Sequence, residues 1–261
     1  MLVRNLSICL AAAVLGSFAL TQAACGEDPV NIGTGPDSAD IVLRVQGVVG
    51  DQALVVDDER YEASTVAEGF RFSRVSVFLS DLRLLSTVDG RELETPVDDV
   101  VYLDFQTTDA LTFNLDAVPS GTYTGIRFNF GLTEEQDDQT PADFAANHPL
   151  ANADEYWQDW GAYVFLKLEG RADTLADSEE RMDAPFVYHV GRASQFTREL
   201  SVPMNFTAEG TTTEVALEFD VAALMGIGSV NEVPLAQVAD HQNNAAERLV
   251  TNAQQAFSAS N

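Results

Sequence analysis

Val118 to Leu132, VPSGTYTGIRFNFGL, decides the fold class. A Pro-Ser-Gly turn releases a segment in which Ile126, Phe128 and Phe130 share one side while Arg127 and Asn129 take the other. A repeat of two is the signature of a strand with one buried face. The same period, or a short apolar run rich in β-branched and aromatic residues, recurs along the rest of the chain. It is read in IVLRVQGVV from Ile41, FRFSRVSVFL from Phe70, VVYLDF from Val100 and LTFNL from Leu111. It returns in AYVFLKLEG from Ala162, FVYHVG from Phe186, ELSVPMNF from Glu199 and EVALEFDV from Glu214.

About nine strands are therefore expected. Turn signals at Asp89-Gly90, Pro119-Ser120-Gly121 and Glu209-Gly210 separate them at spacings suited to antiparallel pairing. The expectation is an all-β fold, an antiparallel two-sheet β-sandwich. Two stretches interrupt it. Thr133 to Asp159 is polar, acidic and aromatic, and far longer than a hairpin needs, so it reads as a long inserted loop of functional interest. Leu235 to Phe257, after Pro234, carries Val238, Leu249, Val250 and Phe257 as a sparse apolar stripe and is expected to form a C-terminal helix. No internal repeat and no second domain are expected.

The first 24 residues have a basic start at Arg4, an apolar stretch from Leu6 to Leu20 and small residues before Cys25, the pattern of an export signal. Residues 25–40 read as a flexible acidic tether and residues 41–261 as the folded domain. Cys9 falls in the leader, which leaves Cys25 alone in the mature chain and makes an internal disulfide impossible. Cys25 is expected to be a lipidated first residue; the plainer alternative is ordinary cleavage nearby, leaving a free thiol. The expected location is the cell envelope, in the periplasm or on the outer membrane as a lipoprotein, with membrane contact only through that anchor. Later segments fall short of the roughly 18 apolar residues a span requires.

Lys and Arg number 14 against 41 Asp and Glu, so the formal charge is 14 − 41 = −27. Such a field repels nucleic acid and anionic lipid, and it favours cations or a basic partner protein. With 46% hydrophobic residues the chain still has the means to build a core.

No nucleophile elbow, phosphate loop, zinc-protease helix or paired-cysteine metal signature occurs, so a conventional hydrolase or nucleotide enzyme is disfavoured. His148 in the loop, His189 in the segment FVYHVG and His241 in ADHQNN have no short ligand spacing to one another. Each reads equally as a metal ligand or as an ordinary hydrogen-bonded histidine. His189 is expected to point away from the side shared by Phe186, Tyr188 and Val190. Imidazoles without thiolate suit copper or zinc, and Met182, Met204 or Met225 would favour Cu(I). The acidic run EEQDD, Glu134 to Asp138, lacks calcium-ligand order and reads as a solvated face. Trp157 and Trp160 read either as core packing or as oxidisable rings near the surface.

Taken in order, VFLSDLRLL from Val77, YLDF from Tyr102, VPSGTYTGIRFNFG from Val118, YWQDWGAYVFLKLEG from Tyr156, FVYHVG from Phe186 and the late His241 ahead of NAQQAF resemble the copper-binding MbnP family. These are exported β-sandwich proteins encoded beside dihaem cytochrome c peroxidase-like partners. The resemblance implies copper held as Cu(I) or Cu(II) by imidazoles, together with a Trp that the dihaem partner oxidises to kynurenine. The positions that match are His189, His241 and Trp157, with His148 as a further candidate. One departure stands out: the family places its aromatics as Trp-x-Trp, whereas Gln158 and Asp159 separate Trp157 from Trp160. The expected function is a non-enzymatic copper-binding protein serving acquisition, storage or handover. The alternative is a metal-free interaction lipoprotein that presents its loop to a protein partner.

Overall fold

A computed structural model describes residues 38–57, 60–62, 69–175, 181–210, 212–235 and 244–260, with Asn244 given by its backbone alone. All of them belong to one compact unit, Gly35–Asn261. The export signal, Cys25, most of the expected tether and His241 lie outside the described residues.

The chain runs through β1 (Ser38–Val49), β2 (Gln52–Ala53), β3 (Tyr61–Glu62), β4 (Gly69–Val88), β5 (Arg91–Asp104), β6 (Ala110–Pro119) and β7 (Gly121–Phe130). After the inserted loop come β8 (Tyr156–Trp157), β9 (Ala162–Asp173), β10 (Ala184–Gly191), β11 (Arg198–Ala208), β12 (Thr212–Asp220) and, last, β13 (Phe257–Ala259). Four helices interleave: α1 (Glu134–Asp137), α2 (Ala193–Phe196), α3 (Val221–Met225) and α4 (Asn244–Ala256). All nine expected segments are strands; β2, β3, β8 and β13 are two or three residues long, too short to register as a period.

Two sheets form the sandwich. In the first, β1 carries β6 and β2 antiparallel on one edge and β12 on the other, with β13 outside β12. The β1–β12 pair is parallel, from Asp40 opposite Thr212 to Val48 opposite Asp220, against the antiparallel expectation. These are the first and last long strands, so no hairpin dictates their relative direction. In the second sheet β4 runs 20 residues. It pairs first with β9 and then with β7 along one edge, with β5 on the other, while β10 and β11 flank the outside. Asp81, at φ 53°, sits in the bulge at the second register.

Alternation places Ile41, Leu43 and Val45 of β1, Leu217 and Phe219 of β12, and Ile126, Phe128 and Phe130 of β7 in one core. Phe257 joins the two sheets there. Its ring stacks on Phe219 at 4.7 Å and meets Phe128 edge-on at 5.1 Å. Of the expected C-terminal helix, Asn244–Ala256 is helical, residues 236–243 lie outside the described residues, and Phe257 opens β13 instead of ending the helix. The helix presses Leu249, Val250, Ala253 and Ala256 against the sandwich. Burying side chains of this size contributes on the order of 1.5–3 kcal/mol for each large one.

The inserted loop is ordered by local chemistry. Thr133 and Gln136 form a reciprocal cap, with the Gln136 N–H donating to Thr133 Oγ1 at 3.2 Å and the Thr133 N–H to Gln136 Oε1 at 3.0 Å. This starts α1 and turns Asp137 inward. Asp137 is buried, so the acidic run is not uniformly a solvated face as expected. Its Oδ1 accepts from the Tyr163 N–H at 2.9 Å and its Oδ2 from the Ala193 N–H at 2.8 Å. One carboxylate thereby ties the loop to β9 and α2. Burial pushes this carboxyl above its ordinary range, against the two N–H bonds that favour its charged form.

Candidate functional site

β8 pairs with the start of β9, Tyr156 opposite Tyr163 and Trp157 opposite Ala162, and four residues close the hairpin. The N–H groups of Trp160 and Gly161 both donate to the Trp157 carbonyl, at 3.0 and 2.9 Å. That winds a helix-like turn in which residues three apart face the same way. Gly161, at φ 62°, supplies the left-handed exit. The two half-buried indoles consequently stack, with ring centroids 4.6 Å apart and planes 10° from parallel. Neither lies in the core.

Trp160 rests on bare backbone at the end of β10. A Cβ added at Gly191 would stand 3.2 Å from Trp160 Cζ3 and 2.6 Å from the Tyr163 carbonyl oxygen, so only glycine fits under the ring. The next residue, Arg192, holds its guanidinium carbon 5.6 Å from the Trp160 ring centre. Its backbone lies at φ 64°, a costly conformation for a residue with a Cβ.

His189 reaches the pair from β10. As the period of two implies, Phe186, Tyr188 and Val190 are buried while His189 points to the half-buried side. Its ring meets Trp157 edge-on, with centroids 6.2 Å apart at 74°. Its Nε2 lies 2.7 Å from Glu169 Oε1. The hydrogen bond with His189 outweighs burial and draws the Glu169 carboxyl below its ordinary range, so Glu169 is the carboxylate acceptor and Nε2–H the donor. In the neutral imidazole the lone pair then belongs to Nδ1.

His189 and Trp157, together with Asp154, Tyr156, Val164 and Lys167, line an open cleft of about 420 Å³. Its inner wall is charged. The Glu155 side chain has 0% exposure; its Oε1 accepts from the Tyr102 hydroxyl at 2.7 Å and Arg74 Nη2 at 2.8 Å, and its Oε2 is ion-paired with Lys167 Nζ at 2.8 Å. Burial, followed by the Glu155 charge, pushes the Tyr102 phenol well above its ordinary range, so it remains a donor.

His148 is not part of this cleft. Its Nδ1 accepts from the Leu150 N–H at 3.1 Å, its Nε2 is 3.0 Å from Asp99 Oδ2, and its ring stacks on Phe144 at 4.6 Å. An Nδ1 that accepts an N–H carries no proton, so the neutral ring donates from Nε2. Burial raises the Asp99 carboxyl, but the His148 hydrogen bond and charge outweigh it and leave it lowered. One ring nitrogen orders the loop and the other ties it to β5.

The MbnP family model matches residues 38–246, which include every strand but β13 and every residue of the cleft. The chain belongs to the MbnP family. Among solved structures, MbnP from Methylosinus trichosporium is similar at a TM-score of 0.51 and 14% identity, over 79% of this chain and 81% of that one. At that identity the likeness is one of fold. No curated protein matches.

On this MbnP sandwich the sequence candidates separate cleanly. His189, Trp157 and Trp160 converge; His148 does not join them; His241 and Cys25 fall outside the described residues. Among the described residues, no group of three or more His, Cys, Asp or Glu is placed to hold a metal ion. The one imidazole in the cleft is oriented by the Glu169 carboxylate. Glu169, Glu155, Lys167 and Arg192 escaped the sequence reading, since their partners lie on other strands.

Glu169 gives a pH prediction. Its folded pKa is depressed, so its contribution to stability is complete above the unfolded value and is lost as pH falls through the lower folded value. Glu169→Gln should destabilise the protein modestly at neutral pH, by under about 1 kcal/mol at this half-exposed site. Urea midpoints of the two proteins should converge below the ordinary carboxylate range. A gap that persists unchanged at pH 3 would refute the charge origin.

Proposed function

We propose that this protein is a non-enzymatic copper carrier of the cell envelope, binding the metal at the cleft where His189 faces Trp157. His189 and His241 would be its imidazole ligands. Trp157 would be the residue that a dihaem peroxidase-like partner oxidises to kynurenine. The observation that carries the reading is the edge-on approach of His189 to the stacked indoles, with Glu169 fixing the imidazole tautomer.

An intact indole offers only an N–H donor and no ligand atom. Opening its five-membered ring exposes an aryl amine and a carbonyl beside His189. Trp157 lines the cleft and Trp160 does not, so Trp157 is the ring so placed. The acidic rim at Asp154 and Asp159 favours arrival of a cation. A lipid on Cys25 would hold the protein at the envelope. Met204 lines a separate groove beside β12 and is not assigned to the site.

The test is Cu(I) competition titration, with intact mass, of protein isolated from its own host. Wild type should carry one copper and a mass change at Trp157. His189→Ala should lose more than the roughly 10–100-fold in affinity that loss of an outer partner such as Glu169 costs. Affinity should fall on acidification, because protons compete for the imidazole lone pairs. Equal affinity in wild type and His189→Ala would sink the site. Unmodified indoles with no Cu(I) uptake would favour the metal-free interaction module.

A further inference from the structure

Two indoles stacked at 4.6 Å share their π electrons, so the pair gives up an electron more readily than either ring alone. What then fixes the positive charge on one ring is the field around it. The two sides of this stack differ. Trp160 faces the Arg192 guanidinium at 5.6 Å, a permanent cation that opposes a second positive charge on that ring. Trp157 faces His189, whose partner Glu169 is a carboxylate, and shares the cleft with Asp154 and Asp159. The nearby cations Lys167 and Arg74 share Glu155, each at 2.8 Å, and Asp104 stands 3.8 Å from Arg74, so two carboxylates balance the two positive charges there.

We infer that Arg192 is a specificity-determining residue that directs one-electron oxidation of the stacked pair to Trp157 and away from Trp160. Gly191 seats Trp160 beside this cation, because a side chain at 191 would lift the ring away. The left-handed backbone of Arg192 sets where its side chain leaves the chain. The step removes one electron from the Trp157 π system, and the external oxidant is reduced by one electron. The radical cation then loses its Nε1 proton to water, dissolved dioxygen adds to the carbon radical, and the peroxyl radical so formed takes a hydrogen atom from a thiol donor in the buffer to end as a closed-shell hydroperoxide. Arg192 acts only through the field and exchanges neither electron nor proton.

This inference deepens the assignment of Trp157 as the modified residue, and its test needs neither copper nor a partner protein. Photogenerated tris(bipyridine)ruthenium(III), which becomes ruthenium(II), is applied to recombinant wild type, Arg192→Gln and Arg192→Lys in air. Peptide mapping then gives the ratio of oxygen adducts at the two indoles. Wild type should favour Trp157 by on the order of tenfold or more, the size of bias a unit charge imposes at this range. Arg192→Gln should shift the ratio at least several-fold toward Trp160, and Arg192→Lys should restore much of it. Matching circular dichroism and urea midpoints exclude unfolding as the cause. A wild-type ratio near one, or an Arg192→Gln ratio equal to wild type, overturns the inference. Copper titration of His189→Ala bears on the metal site alone, so either reading can fail without the other.

Discussion

Asp137→Ala should cost this protein about 2–6 kcal/mol, because it strips the partner from two backbone N–H groups at once. Tyr163 and Ala193 donate to opposite oxygens of that carboxylate, in surroundings water does not reach. Each orphaned donor carries a desolvation penalty of about 1–3 kcal/mol. Asp137→Asn offers a sharper comparison. Its amide keeps the shape but turns an NH₂ toward one of the two donors, so about half the loss should remain. Urea unfolding at neutral pH measures both. A loss under about 0.5 kcal/mol for Asp137→Ala would show that water replaces the carboxylate and that the loop is not pinned there.

Glu155→Ala should cost about 3–5 kcal/mol, the usual result of deleting one member of a buried ionic set. Two donors and a third cation converge on this side chain from β4, β5 and β9: Arg74 and Tyr102 by hydrogen bonds and Lys167 as an ion pair. Removing it takes from Arg74 and Lys167 the carboxylate they share. It also frees the loop two residues ahead of Trp157, so the indole stack should loosen as well as the fold. Tryptophan emission gives the second readout: a red shift in folded Glu155→Ala marks rings newly wetted. Glu155→Gln keeps an acceptor for Tyr102 but loses the charge, and its cost should fall between wild type and Glu155→Ala. A stable Glu155→Ala with unshifted emission would show that the network is ornamental to the site.

The strands were legible because their signal is local. Ile126, Phe128 and Phe130 declare a buried face within five residues, and every segment with that period became a strand. Strand direction is not local: nothing in β1 or β12 says that they will lie parallel. The site divides along the same line. The stacking of Trp157 on Trp160 follows from their spacing and from Gly161, all within one hairpin. The extra residue relative to a Trp-x-Trp order lets the helix-like turn bring the rings face to face. The Thr133–Gln136 cap is likewise a local pattern that would have revealed α1. Asp137, Glu155, Glu169 and Arg192 acquire their roles from partners on other elements, and as isolated acids or an isolated base they carried no signal. His148 looked equal to His189 in sequence; only the fold spends both its nitrogens on Leu150 and Asp99.

The parallel pairing of β1 with β12 also sets the order in which this molecule can be made. β1 is the first strand of the sandwich, yet its partner is the twelfth, and the nine rungs between them begin at Asp40 and Thr212. An emerging chain can form the β1–β2 turn and add β6 early, but one edge of β1 must wait until nearly all of the protein is present. Closing so large a loop is slow compared with zipping a hairpin. During that wait an open, apolar strand edge is exposed to other chains. A shortened product ending before β12 would therefore aggregate rather than fold in part, whereas one missing only the last three residues would keep both sheets.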